Sequence, residues 1–177
     1  MQTVREVEKA LYRLAPVSGA MPGDNVGHLV GDPDREVKHV LVALDITEAV
    51  VDEAISKGCD LIVAHHPVIN SNWTPVQSVR YDTLKGRILM KLIQNGISAI
   101  CMHTNLDVAP GGVNDRLAKR LGLRAVETME NGLIRMGICG ECGDRTEGAV
   151  TGIGIEGMDG RLVLIIASVF IVPGLGG

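Results

Sequence analysis

Asp60-Leu61-Ile62-Val63-Ala64-His65-His66-Pro67 is the stretch from which the fold can be read. Leu61 to Ala64 is a wholly apolar run of strand length, the pattern of a strand buried on both faces. Pro67 then removes the chain's capacity for further sheet hydrogen bonds. The two imidazoles between run and proline are poor packing material and good ligands for zinc, iron or nickel.

The same grammar repeats on either side. Upstream, Val37 to Leu44 reads as a buried strand ending at Asp45, and Thr47 caps a helix that runs through Lys57 and stops at Gly58. Val50, Val51, Ala54 and Ile55 form its inward face. Downstream, Tyr81, Leu84, Ile88 and Leu92 mark another helix face, closed by Asn95-Gly96. Ile97 to Met102 is a third apolar strand, leading into His103-Thr104-Asn105-Leu106-Asp107. Strand alternating with helix predicts an α/β fold, a parallel sheet with helices on both faces and right-handed crossovers. Sites in such sheets gather beyond the carboxyl ends of the strands. Asp45, His65, His66, His103 and Asp107 all fall at that edge.

The flanks complete a lobe over residues 1–125. Val4, Val7, Leu11 and Leu14 share one face of a helix whose start, Thr3 with Glu6, has capping-box spacing. A Gly- and Pro-rich turn region follows from Gly19 to Asp34. A short helix after Gly111-Gly112 carries Val113, Leu117 and Leu121 and ends at Gly122. Beyond Arg124 the texture changes to turns and short strands, read as residues 126–177 beginning a second, incomplete α/β lobe. Leu162 to Val172, eleven apolar or small residues, reads as a strand; a bilayer span needs roughly 20.

Composition narrows the functional classes. Of 177 residues, 46% are hydrophobic but only 2% aromatic, so the core is aliphatic. Lys and Arg number 17 against 21 Asp and Glu, a net charge of −4 with no basic tract, which speaks against nucleic acid and anionic membranes as partners. Arg5, Glu6, Glu8 and Lys9 interrupt any signal core, and with four cysteines the expected setting is reducing and cytoplasmic.

Two histidines in sequence, with a third and an aspartate at the next strand end, favour a metal centre over a hydrogen-bonded strand cap. His65 and His66 diverge as neighbours do, and could serve separate ions. Asp107 could bridge two ions or cap the Gly111-Gly112 turn. His103 is a ligand or a donor orienting Asp107. Asp45, two residues before a capping Thr, reads as structural. Asp24 and Asn25 are candidates to line the pocket, while His28 and His39 read as surface or packing residues. Two further motifs are set aside. Gly152-x-Gly154-x-x-Gly157 is followed by a strand where a dinucleotide site needs a helix. Cys139-x-x-Cys142 lacks a second ligand pair.

Asp24-Asn25-Val26-Gly27, Val42-Ala43-Leu44-Asp45, His65-His66-Pro67, His103-Thr104-Asn105-Leu106-Asp107 and Gly111-Gly112-Val113-Asn114-Asp115 resemble, in order and over residues 1–125, the NIF-three-like family. Its bacterial members are labelled GTP cyclohydrolase I type 2 homologues. The resemblance implies two α/β lobes, a toroidal homohexamer and a dinuclear metal site, with His65, His66 and Asp107 as metal ligands. It also implies a carboxyl-terminal His-x-x-x-Glu ligand pair, for which this chain, with no histidine after His103, has no counterpart. The family's aromatic before the Asp-Asn-Val-Gly motif is here Gly23. One ion, or two held weakly, is therefore expected, and catalysis weaker than in a complete relative.

The leading expectation is a metal-dependent hydrolase using zinc, iron, nickel or manganese to activate water toward a nucleotide or phosphoester, with His103 as the best candidate base. The competing one is a non-enzymatic metal-binding regulatory or trafficking subunit of an oligomeric ring. A metal-free structural relative is a third.

Overall fold

The computed structural model of the chain describes residues 2–69, 76, 78–129, 132–139, 153–158 and 161–167. Its contacts divide the chain into two units, Met1–Leu106 and Asp107–Gly177.

The first unit opens with β1 (Gln2–Thr3) and α1 (Val4–Leu14). The capping box is formed: Thr3 Oγ1 accepts from Glu6 N, and Glu6 Oε2 accepts from Thr3 N at 2.8 Å. Of the expected apolar face of α1, Val4 is buried and Leu14 is exposed. Then come β2 (Gly27–Val30), β3 (Glu36–Val37), β4 (Val40–Ala43), α2 (Glu48–Ser56), β5 (Leu61–Ala64), α3 (Leu84–Gln94) and β6 (Ser98–Cys101). β3 pairs with β1, and the main sheet has the order β2-β6-β5-β4.

The parallel core is the expected one. β4, β5 and β6 run parallel, with Ala43 opposite Ala64 and Ala64 opposite Cys101. Thr47 and Thr83 cap α2 and α3 by accepting from Val50 N and Gly86 N. Gly58 and Gly96, both at φ +62°, end them. The two helices lie side by side, joined by Arg87–Glu48 and Lys91–Asp52 pairs. Val51 and Ala54 of α2 and Ile88, Leu89 and Leu92 of α3 form one core cluster with Ile62, Ala64 and Ala99 of the strands. Leu61 and Ile100, on the opposite pleat, are fully buried as well.

Three expectations change. Val37 to Leu44 is not one buried strand but β3 and β4. β4 is the outermost strand of its sheet, and Val40, Val42 and Leu44 are exposed, Val42 by 77%. Apolar composition does not by itself separate an edge strand from a central one. The Gly19–Asp34 region contains β2, antiparallel to β6, so the sheet is mixed. Tyr81 and Leu84 are exposed, and α3 turns Ile88, Leu89 and Leu92 inward. His28 is a packing residue as expected: its N donates to Glu8 Oε1 at 2.8 Å, and its Nε2 meets Val30 O.

The chain passes into the second unit within α4 (Thr104–Val108). α5 (Val113–Arg120) follows a turn in which Gly111 N donates to Asp115 Oδ2. β7 (Leu123–Met129), β8 (Ile134–Cys139), β9 (Ile153–Met158) and β10 (Arg161–Ala167) form an antiparallel sheet in the order β7-β8-β10-β9. The buried Arg135 joins α5 to this sheet by donating to Asp115. Gly154 and Gly157 lie in β9, which returns as β10, so the glycine motif sits in strand. Trp73, Pro75, Cys142 and the end of the apolar run, 168–172, lie outside the described residues. No helix among the described residues is long and apolar enough to cross a membrane.

Two glycines test how closely β2 and β6 approach. Gly58 has φ +62° and open space around a would-be Cβ, so Gly58→Ala carries only the left-handed cost of about 1–2 kcal/mol. At Gly31, φ +107°, an added Cβ would sit 2.8 Å from Ser98 Cα on β6. Gly31→Ala adds overpacking, bringing the loss to about 2–5 kcal/mol. Urea unfolding of both variants checks this, and equal losses would contradict the close approach.

Candidate metal centre

The register of β4, β5 and β6 builds the site. Backbone ladders continue one step past the strands: His65 N donates to Ala43 O, His66 N to Leu44 O at 2.9 Å, and Met102 N to Ala64 O at 2.9 Å. Asp45, His66 and His103 thus leave their strands at corresponding positions. β2, running the other way, has Gly27 opposite Cys101, which brings the preceding Asp24 to the same edge.

His65, His66 and His103 converge there. One ring nitrogen from each lies within 4.8 Å of the others, a spacing that could hold a metal ion. Ring centroids are 5.0 Å apart for His65–His66, 5.1 Å for His65–His103 and 5.7 Å for His66–His103. Each Nδ1 faces an acceptor: Met102 O for His65 at 2.9 Å, Asp45 Oδ1 for His66 at 2.7 Å, and Asp24 Oδ1 for His103 at 2.8 Å. A carbonyl or an ionised carboxylate can only accept, so Nδ1 carries the proton in all three rings. Nε2 is then the nitrogen with the lone pair. Imidazoles oriented this way by carboxylate or carbonyl partners are the usual ligands of divalent transition metals.

The partners differ in setting. The side chains of His103 and Asp24 are each 9% exposed, those of His66 and Asp45 45% and 54%. Burial pushes the Asp24 carboxyl upward. The hydrogen bonds donated by His103 Nδ1 and by Thr104 outweigh it and hold the group at about 2. Asn25 anchors the same loop through Nδ2 to Ile69 O. Cys101, buried behind the cluster, donates Sγ–H to His65 O, and burial pushes its thiol well above the usual range.

Among the sequence candidates, His65, His66 and His103 come together. Asp107, 2% exposed, lies in α4 within the second unit. Asp24, a candidate lining residue, braces His103. Asp45, read as structural, is the acceptor for His66; its position at a strand end beside the histidine strand was the available signal. His39 lies away from this cluster, its N donating to Asp60.

The folded carboxyl of Asp24 titrates below its ordinary value of 3.8, at about 2. Its contribution is therefore complete above pH 4 and lost as pH falls through about 2. Asp24→Asn is expected to remove about 2 kcal/mol of that pH-dependent stability. Chemical denaturation from pH 6 to pH 2 tests this, and an unchanged slope would sink it.

The sequence matches the model of Duf34/NIF3 (NGG1p interacting factor 3) over residues 2–156. A protein of Halalkalibacterium halodurans named GTP cyclohydrolase 1 type 2 homolog is 46% identical over 117 residues, 66% of this chain and 31% of its own. A Staphylococcus aureus protein of the same name is 50% identical over 116 residues, again 66% and 31%. The chain thus spans about a third of the length of these relatives. Among solved structures, the Bacillus cereus protein related to NIF3 is 32% identical with a TM-score of 0.68, covering 94% of this chain and 54% of that one. Reduced HcgD from Methanocaldococcus jannaschii is 33% identical with a TM-score of 0.71, covering 78% and 54%. With 155 of its 177 residues inside that match, the chain belongs to the Duf34/NIF3 family.

Proposed function

We propose that the histidine cluster is the protein part of a divalent-metal centre in a metal-dependent hydrolase acting on a nucleotide or other phosphoester. The convergence of three imidazoles, each with Nδ1 committed to an acceptor, carries this reading. The donor set fits the group: neutral nitrogens of borderline softness suit zinc, iron or nickel, and manganese would rely on the Asp107 carboxylate. His65 and His66 are the ligands, with Asp107 as the carboxylate ligand on the strength of the motif resemblance. When bound, the ion supplies Lewis acidity and an activated water for hydrolysis.

His103 is assigned to proton transfer. Nε2 takes the proton, while Nδ1–H stays on Asp24, whose retained charge stabilises the imidazolium that results. His65 and His66 are held in orientation by Met102 O and Asp45, so neither ring must reorganise to bind. The relatives' name makes GTP the first substrate to try. Residues 1–125 as the metal-site lobe, 126–177 as part of a second lobe, and homo-oligomeric assembly, a hexamer by resemblance, belong to the same reading.

One observation favours a second function. His66 and Asp45 are about half exposed, a setting that suits a site from which an ion is passed on, as in a regulatory or trafficking subunit.

Elemental analysis and turnover decide between them. His65→Ala with His66→Ala is expected to reduce bound metal to background. His103→Gln keeps the metal but lowers hydrolysis of GTP or a generic phosphodiester by about 10²–10⁴-fold. Unchanged metal in the double variant would remove the centre. Loss of metal in His103→Gln would make that residue a ligand. Full metal with no turnover in wild type would favour the non-catalytic reading.

A further inference from the structure

A cavity of about 210 Å³ opens beside the histidine cluster, lined by Asp45, Thr47, Glu48, His66, Leu84 and Lys85 among others. Pockets for whole drug-sized ligands run to about 300–1,000 Å³, so this one suits a single group of a larger molecule. His66 belongs both to its wall and to the candidate metal centre.

The charges on the wall are unevenly committed. Asp45 accepts from His66 Nδ1 at 2.7 Å, and Glu48 accepts from Arg87 Nε at 3.1 Å. Lys85 is different. It is half-buried on the first turn of α3, and its ammonium has no hydrogen bond or ion pair with any of the described residues. Burial holds its pKa below the usual lysine value, with only the Asp45 charge opposing. A partly desolvated ammonium whose nearest opposing charge, Asp45, is already engaged by His66 gains from an anion placed beside it.

We propose that this cavity is a subsite for the phosphate group of the substrate, with Lys85 as its cationic contact. The inference rests on the metal-hydrolase reading for its purpose, since it would seat the phosphate alongside His66. Its geometry rests on Lys85 and the cavity alone. Lysine is a suitable phosphate binder because a compact point charge adapts to a tetrahedral oxyanion. The committed carboxylates select against loosely placed anions, because only a group close to Lys85 gains more than it loses to Asp45 and Glu48.

Calorimetric titration with inorganic phosphate, phenyl phosphate and phenol tests the assignment, each on metal-loaded and metal-free protein. Lys85→Gln is expected to weaken inorganic phosphate and phenyl phosphate about tenfold or more in both forms, leaving phenol and metal content unchanged. Lys85→Arg should stay within a few-fold of wild type. Phosphate binding that disappears with the metal but ignores Lys85→Gln overturns the subsite while sparing the metal reading. Lys85-dependent binding in a protein that takes up no metal does the reverse. Inorganic phosphate that binds through Lys85 while phenyl phosphate does not would mark a free-anion pocket and overturn the substrate assignment.

Discussion

Everything at the candidate centre depends on the parallel register that sets Ala43, Ala64 and Cys101 side by side. Parallel ladders fix neighbouring strands to within a residue, because a one-residue slip turns every side chain to the other face. Here a slip would bury His65 or eject Ile62, so the aliphatic core on α2 and α3 enforces the position of the imidazoles. Packing energy spread over Ile62, Ala64, Ala99, Ile88 and Leu92 is thereby converted into positional accuracy at three rings. No residue of the site needs to supply that energy itself.

Behind the rings stands a row of acceptors, two carboxylates and one carbonyl. Their effect is chemical as much as geometric. By accepting hydrogen bonds from Nδ1–H they leave the lone pair on Nε2 and make each imidazole a better metal donor. They also fix one tautomer in each of the three rings. Asp24 is held most firmly, since Thr104 contributes both its amide and its hydroxyl to the same carboxylate. Thr104 Oγ1 in turn accepts from Met21 N, which ties the loop before β2 to the end of β6. The site is thus braced from the antiparallel strand as well as from the parallel ones.

The parts of this arrangement that follow local rules were legible in the sequence. Leu61–Ala64 is a strand with those bounds, Thr3 and Thr47 cap helices, and His65, His66 and His103 meet at one edge. What local rules do not encode was not legible. Nothing in Gly27-His28-Leu29-Val30 announces a strand, because its pairing partner lies some seventy residues away. Val40 and Val42 look like core residues, and only the sheet order reveals them as an edge. Asp45 read as a helix-associated aspartate because its partner, His66, is adjacent only through the register. The role of Asp24 depends on a strand that the sequence concealed.

The site is also graded across the sheet. On the β6 side, His103 and Asp24 are buried together, where an ionised carboxylate beside an imidazole acts at low effective dielectric and its charge is felt strongly. On the β4 side, where the sheet ends, His66 and Asp45 are half exposed and the cavity begins. An edge strand is ordinarily a liability. Here it lies on the side of the cluster where His66 is more exposed than His103, and the His103–Asp24 pair is on the buried side. The exposed edge that composition failed to predict therefore borders the half-exposed side of the histidine cluster, where Asp45 meets His66.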